Sequence, residues 1–167
     1  MGDPISSLPA QPSVQRAAEA ERIPFGPTDL LRFISNGGAG LPEFYEERAA
    51  RGDGPPLHSH PWPSWELVIS GQVRFVVDGA AHVLGPSDAI YIPAEVAHAY
   101  VVESDDAHAV GIGLSAGRFP SAQRKVAALM AAEAGPPMDQ LVALAAEHAI
   151  TVLGPPLSLD SSGAGQR

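Results

Sequence analysis

From residue 30 onward, apolar residues recur in short runs with a period of two, and turn-forming clusters interrupt them at strand-like spacing. Leu30–Ile34 is predicted as a strand stopped by the glycine-rich stretch 35–40. Glu43–Arg48 is a second strand, followed by the turn-rich segment 51–56. Glu66–Ile69 passes through Ser70-Gly71 into Val73–Val77, and Asp78-Gly79 marks a tight hairpin turn before His82–Leu84. Ala89–Ile92, His98–Val102 and His108–Leu114 complete the set. Such spacing predicts an all-β sandwich or barrel of roughly eight strands. After Gly117 the period becomes helical: Ser121–Glu133, halted by Gly135-Pro136-Pro137, and then Asp139–Ala149. Ile150–Leu153 follows and is expected to end at Gly154-Pro155-Pro156.

The pattern divides the chain into a flexible N-terminal arm (1–21), a β-barrel (22–117), helices packed on the barrel (118–156) and a flexible tail (157–167). Arm and tail are too poor in large apolar side chains to offset the entropy of ordering them. At 167 residues the chain has room for one domain. Its 17 glycines and 17 prolines suit short strands and tight turns. Nineteen acidic against ten basic residues leave a formal charge of −9, which gives no general attraction to phosphate backbones or anionic lipid. Nucleic acid and membrane are therefore not expected as partners. Cysteine is absent, which excludes disulfides, thiolate metal sites and a cysteine nucleophile. No apolar run is long enough to span a membrane, and residues 1–20 lack a secretory layout, so a cytoplasmic location is expected.

One constellation carries chemistry: His58-Ser59-His60. Two histidines at i and i+2 on an extended segment point to one face, where their imidazoles offer adjacent coordination positions. Gly52 precedes His58 by six positions, and a second block follows: Gly85-Pro86-Ser87-Asp88, then Pro93 and His98. Together these blocks, over about residues 50–103, resemble the cupin family. More loosely, residues 28–156 resemble small single-domain bacterial cupins related to quercetinase-type (flavonol) dioxygenases.

The resemblance implies a double-stranded β-helix barrel, to which the helical pattern adds a short C-terminal helical tail, and one divalent metal held by His58, His60 and His98. The family pattern also implies a glutamate ligand seven positions before Gly71, where this chain has Ser64; the available carboxylate is Glu66. Glu66 shares a strand face with Ser64, displaced by about 6–7 Å. It is read as a fourth ligand, as a free acid or base beside the metal, or as absent from a three-histidine site. Glu95 and Ser87 replace glycines of the family pattern, a change that bears on turns.

Other side chains complete the candidate set. Tyr100, two after His98, is a candidate proton donor or a structural hydrogen-bonding group. Trp62, Val68, Phe75, Tyr91, Tyr100 and His108 are candidate walls of a substrate pocket, with Trp62 equally a core residue and His108 by default a satisfied core histidine. Trp65, alternating away from Glu66, reads as a core or dimer contact. One of Glu46 and Glu47 must point inward. The Ala109, Gly111 and Gly113 row leaves one strand face without bulk.

The functional expectation is a metal-dependent dioxygenase acting on a small aromatic or polyketide-like organic molecule, with iron, manganese, nickel or cobalt. The alternatives are a non-redox isomerase, cyclase or lyase of natural-product metabolism, to which zinc would suffice, and a non-catalytic small-molecule-binding barrel. A homodimer is expected, because the apolar strand Leu30–Ile34 would make a poor free edge.

Overall fold

The computed structural model describes residues 14–24, 30–38, 41–132 and 136–160. Their elements are β1 (Ile23–Pro24), β2 (Leu30–Gly38), β3 (Leu41–Ala50), β4 (Pro56–Ser59), β5 (Ser64–Ser70), β6 (Val73–Val77), β7 (Ala80–Leu84), β8 (Ala89–Ile92), β9 (His98–Val102), β10 (Asp106–Gly113), α1 (Arg118–Ala132), α2 (Met138–Glu147) and β11 (Thr151–Pro156). The strands form two antiparallel sheets, ordered β1-β2-β3-β10-β5-β8 and β11-β4-β9-β6-β7. This mostly-β, two-sheet architecture is the barrel that the alternating pattern predicts.

The predicted strands recur at close to their expected bounds, and the departures have local causes. β11 continues through Gly154-Pro155-Pro156, because it is the edge strand of its sheet and an edge tolerates residues that donate no ladder bond. β1 pairs with β2, Ile23 opposite Leu31 and Pro24 opposite Leu30. Leu31 and Phe33 are buried, so the strand expected to seek a second copy has a partner within the chain. Part of the predicted arm also lies on the barrel: the Gln15 side chain donates to the Phe33 carbonyl at 3.0 Å. Residues 1–13 and 161–167 lie outside the described residues, but the tail begins in contact, the Arg74 guanidinium donating to the Ser158 carbonyl at 2.9 Å.

Two apolar clusters hold the sheets together. Ala49, Val68, Val73, Phe75, Ile92, Val102 and Ala107 form one, drawn from both sheets. Ile23, Leu31, Phe33 and Tyr45 form the second, against which Phe119 and Ala127 of α1 pack. Placement of α1 rests on Glu43, a fully buried acid of β3. Its carboxylate accepts from Ser115 N at 2.7 Å, Ser115 Oγ at 2.8 Å and Gly117 N at 2.6 Å. Ser115 Oγ in turn accepts from Phe119 N at 2.8 Å, satisfying an orphan donor of the first helical turn. A buried carboxylate with three donors is thus the clasp between barrel and helix.

The turns carry a second departure from glycine. Asp78 and Gly79 have φ of 50° and 75°, the doubly left-handed turn that joins β6 to β7. Ser87 and Glu95 also have positive φ, 73° and 65°, so these non-glycine residues adopt the backbone that the family glycines favour. Each stores about 1 kcal/mol of backbone strain. Ser87→Gly and Glu95→Gly are each expected to raise the thermal midpoint by a few degrees without altering the fold. An unchanged or lower midpoint in differential scanning calorimetry would contradict the strain.

Candidate metal centre

The three candidate histidines converge through strand pairing. His58 on β4 stands directly opposite His98 on β9, with ring centroids 4.2 Å apart. His60 follows the end of β4, where Glu95 N donates to its carbonyl at 2.7 Å. One nitrogen from each ring lies within 4.8 Å of the other two. His60 is fixed further by Trp62, stacked on it at 4.4 Å and nearly parallel.

Hydrogen bonding decides which nitrogens face inward. Nδ1 of His58, His60 and His98 lies 2.8 Å from the carbonyl oxygens of Pro56, Trp62 and Val96, respectively. A carbonyl only accepts, so each Nδ1 carries the proton and each Nε2 of the neutral ring presents a lone pair. Burial, reinforced by the charge of His98, lowers His58 to about 3 and His60 to about 4; burial also lowers His98. Three neutral imidazoles with fixed tautomers and clustered lone pairs are the donor set of a divalent transition metal, and the residues fit one.

The trio opens onto a cavity of about 300 Å³ between the barrel and the two helices. Its floor carries Tyr45, Glu47, Glu66, Phe75 and Tyr100; its roof carries Phe119, Val126 and Met130 of α1 and Leu141, Val142 and Ala145 of α2. Among the described residues, no lysine or arginine lines it. Arg48 pairs with Glu46 and Arg51 donates to the Glu103 carbonyl, so both guanidiniums are engaged outside it.

Glu66 is not a member of the histidine cluster. Its Oε1 accepts from the Tyr45 hydroxyl, reached across β10. Glu47, of the two neighbouring acids on β3, is the inward one, and its Oε1 accepts from the Tyr100 hydroxyl. Burial pushes Glu66 up to about 7 against the lowering effect of the Tyr45 bond. Burial likewise pushes Glu47 up to about 7, helped by the charges of Glu66 and Asp53 and opposed by the Tyr100 bond. Tyr45 is raised well above its ordinary value by burial and then by the Glu66 charge, so it remains a donor.

The predicted pocket residues separate into two groups. Trp62, Phe75 and Tyr100 line the cavity. Val68 is fully buried in the core and does not line this cavity. Tyr91 is half exposed on the outer face, where its ring packs on Trp65 at 4.9 Å; Ile90 and Ile92 are the inward residues of β8. His108 also faces away, its Nε2 2.8 Å from Glu46 Oε1. The sequence reading missed Glu43 and the Tyr45–Glu66 contact and left Glu47 undecided. Alternation from Tyr45 was the available signal for Glu47.

These shifts give stability an opposed pH dependence in the metal-free protein. The histidines titrate lower when folded than their ordinary 6.5, so the unfolded chain gains protons first and stability falls as pH drops below that value. Glu47 and Glu66 titrate near 7 when folded against 4.5 ordinarily, so their contribution is present below 4.5 and is lost as pH rises to about 7. Glu66→Gln removes its share of that loss. Its thermal midpoint relative to wild type is expected to be higher by a few degrees at about pH 8 than at about pH 5; a pH-independent difference would contradict the assignment.

The cupin domain family profile matches residues 45–112. No curated protein matches the sequence. Among solved structures, KdgF from a Halomonas species is similar at 17% identity and a TM-score of 0.56, covering 62% of this chain and 93% of its own. An RmlC-like cupin from Shewanella frigidimarina is similar at 17% identity and 0.55, covering 62% and 90%. The polyketide cyclase RemF from Streptomyces resistomycificus is similar at 18% identity and 0.52, covering 62% and 79%. The two-sheet topology, the matched segment and these structural relatives agree: the chain has a cupin β-barrel fold, with a candidate three-histidine metal site.

Proposed function

We propose that this protein is a metal-dependent enzyme that moves protons on an uncharged small organic substrate, as an isomerase, cyclase or lyase does. The observation that carries the reading is one cavity holding three imidazole lone-pair donors and two carboxyls that titrate near neutrality. A bound divalent metal supplies a Lewis acid for a substrate oxygen. The remaining chemistry belongs to the chain. Glu66 and Glu47 each have Oε1 engaged by a phenol, which leaves Oε2 as the atom that takes or gives a proton. Values near 7 suit both directions of transfer at neutral pH. A lining without lysine or arginine among the described residues supports an uncharged substrate over a carboxylate or phosphate, and the apolar roof supports a hydrocarbon body that excludes water. The polyketide cyclase RemF, a structural relative, has an activity of this class.

A dioxygenase is the second reading. It is favoured by the position of Glu66 outside the histidine cluster, which leaves more of a metal's shell to substrate and oxygen. Elemental mass spectrometry is expected to find about one divalent metal per chain, lost in His58→Ala. With metal established, uncharged enolisable ketones in deuterium oxide are expected to exchange an α-hydrogen without oxygen uptake, at least 100-fold more slowly in Glu66→Gln. Oxygen consumption linked to turnover would select the dioxygenase. No metal after reconstitution would overturn both and leave a ligand-binding barrel.

We also propose that the chain forms a homodimer through the outer face of the β10-β5-β8 sheet. Trp65, Leu67, Ile69, Tyr91 and Ile112 stand there side by side, each between 38% and 50% exposed, a larger group than scattered surface apolars. A two-fold contact would bring the same patch of each copy together. Analytical ultracentrifugation is expected to find a dimer that Trp65→Glu converts to monomer; a monomeric wild type would refute the interface.

A further inference from the structure

Glu66 occupies the cavity with the histidines yet stays out of their cluster, and the reason lies on the neighbouring strands. β10 runs between β3 and β5, and Gly111 is in register with Tyr45 on one side and Glu66 on the other. A Cβ at Gly111 would stand 2.2 Å from Tyr45 Cζ and 2.4 Å from its hydroxyl oxygen. The phenol therefore lies on bare backbone as it crosses β10 to reach Glu66 Oε1. Tyr45 has little room to withdraw: Phe119 packs on its ring at 5.1 Å and Phe33 at 5.8 Å.

We propose that Tyr45 is a positioning residue whose phenol, laid across Gly111, holds Glu66 as a proton-exchanging group and keeps it out of the coordination shell of a metal at His58, His60 and His98. The inference rests on reading those histidines as metal ligands. Its physical basis is competition for one buried anion. A carboxylate surrounded by protein needs a donor or a cation, and among the described residues no lysine or arginine of this cavity offers one. While the phenol donates, Glu66 is satisfied in place; without it, a metal cation is the strongest remaining partner.

Cobalt(II) reports coordination directly through its visible absorption, independently of turnover. Wild type and Glu66→Gln, reconstituted with cobalt, are expected to give the same spectrum, since Glu66 is not a ligand. Tyr45→Phe is expected to lose band intensity as the coordination number rises, and to hold cobalt about tenfold more tightly. The double variant Tyr45→Phe/Glu66→Gln is expected to regain the wild-type spectrum, a reversal that a general packing defect would not produce. Gly111→Ala, which displaces the phenol by contact, is expected to reproduce Tyr45→Phe.

A spectral change in Glu66→Gln alone would show that Glu66 already ligates and overturn the inference. An unchanged spectrum in Tyr45→Phe would overturn it as well. Should Tyr45→Phe fail to fold, Gly111→Ala makes the same test, and a spectral change in Glu66→Gln overturns the inference by itself. Failure of wild type to bind cobalt would overturn the metal-site reading and this inference with it, whereas cobalt binding with a spectrum that neither Tyr45→Phe nor Gly111→Ala alters would overturn this inference alone.

Discussion

The interior of this barrel exists because one central strand presents almost nothing to it. Along β10 the inward positions are Ala107, Ala109, Gly111 and Gly113, while the strands on either side contribute Glu43, Tyr45 and Glu47, and Ser64 and Glu66. Close packing of a sheet sandwich would ordinarily fill that layer with interdigitated side chains. Here the missing bulk is occupied from the sides. Tyr45 lies over Gly111, Glu43 approaches Gly113, and the remainder is left as cavity. The row thus sets the volume of the site and also the lateral reach of its polar groups.

The same layer sorts the chemistry by depth. Imidazoles come from β4, the residue just after it and β9 on one side, and carboxyls come from β3 and β5 of the other sheet. The two sets face a shared space rather than each other's hydrogen bonds, because each carboxyl has its own tyrosine. Two acids in one confined space resist simultaneous ionisation, and burial shifts both towards neutrality. The roof adds no charge of its own to the lining. Electrostatics within the cavity are therefore governed by the two carboxyls, the histidines and whatever cation those histidines hold.

Much of the architecture was legible because it follows from local rules. Period-two runs located the strands, and Asp78-Gly79 located a turn whose two residues have positive φ. The histidine pair was legible because alternation places i and i+2 together. What alternation could not resolve was a strand whose residues are all apolar: Ala89–Ile92 reads equally well in either phase, and Tyr91 proved to be on the outside. Contacts that need cross-strand register, such as Tyr45 with Glu66 twenty-one residues away, have no local signature. Glu43 was equally silent, since nothing in the sequence brings it beside Ser115 until β3 and β10 pair. The prolines of β11 misled for a related reason, because whether Pro155 and Pro156 end a strand depends on whether its far side needs a partner.

The last strand ties the roof to the metal centre more closely than packing alone would. Val152 of β11 is the direct ladder partner of His58, so the backbone that carries one imidazole is hydrogen-bonded to the segment that follows α2. At the other end, Glu43 clasps the start of α1 to β3. The two helices are thus a span anchored at both banks, one bank being the histidine strand itself. A chain cut short after α2 would keep all three histidines but expose the outer edge of β4 to water, so loss of a segment that touches no metal would loosen the grip on it.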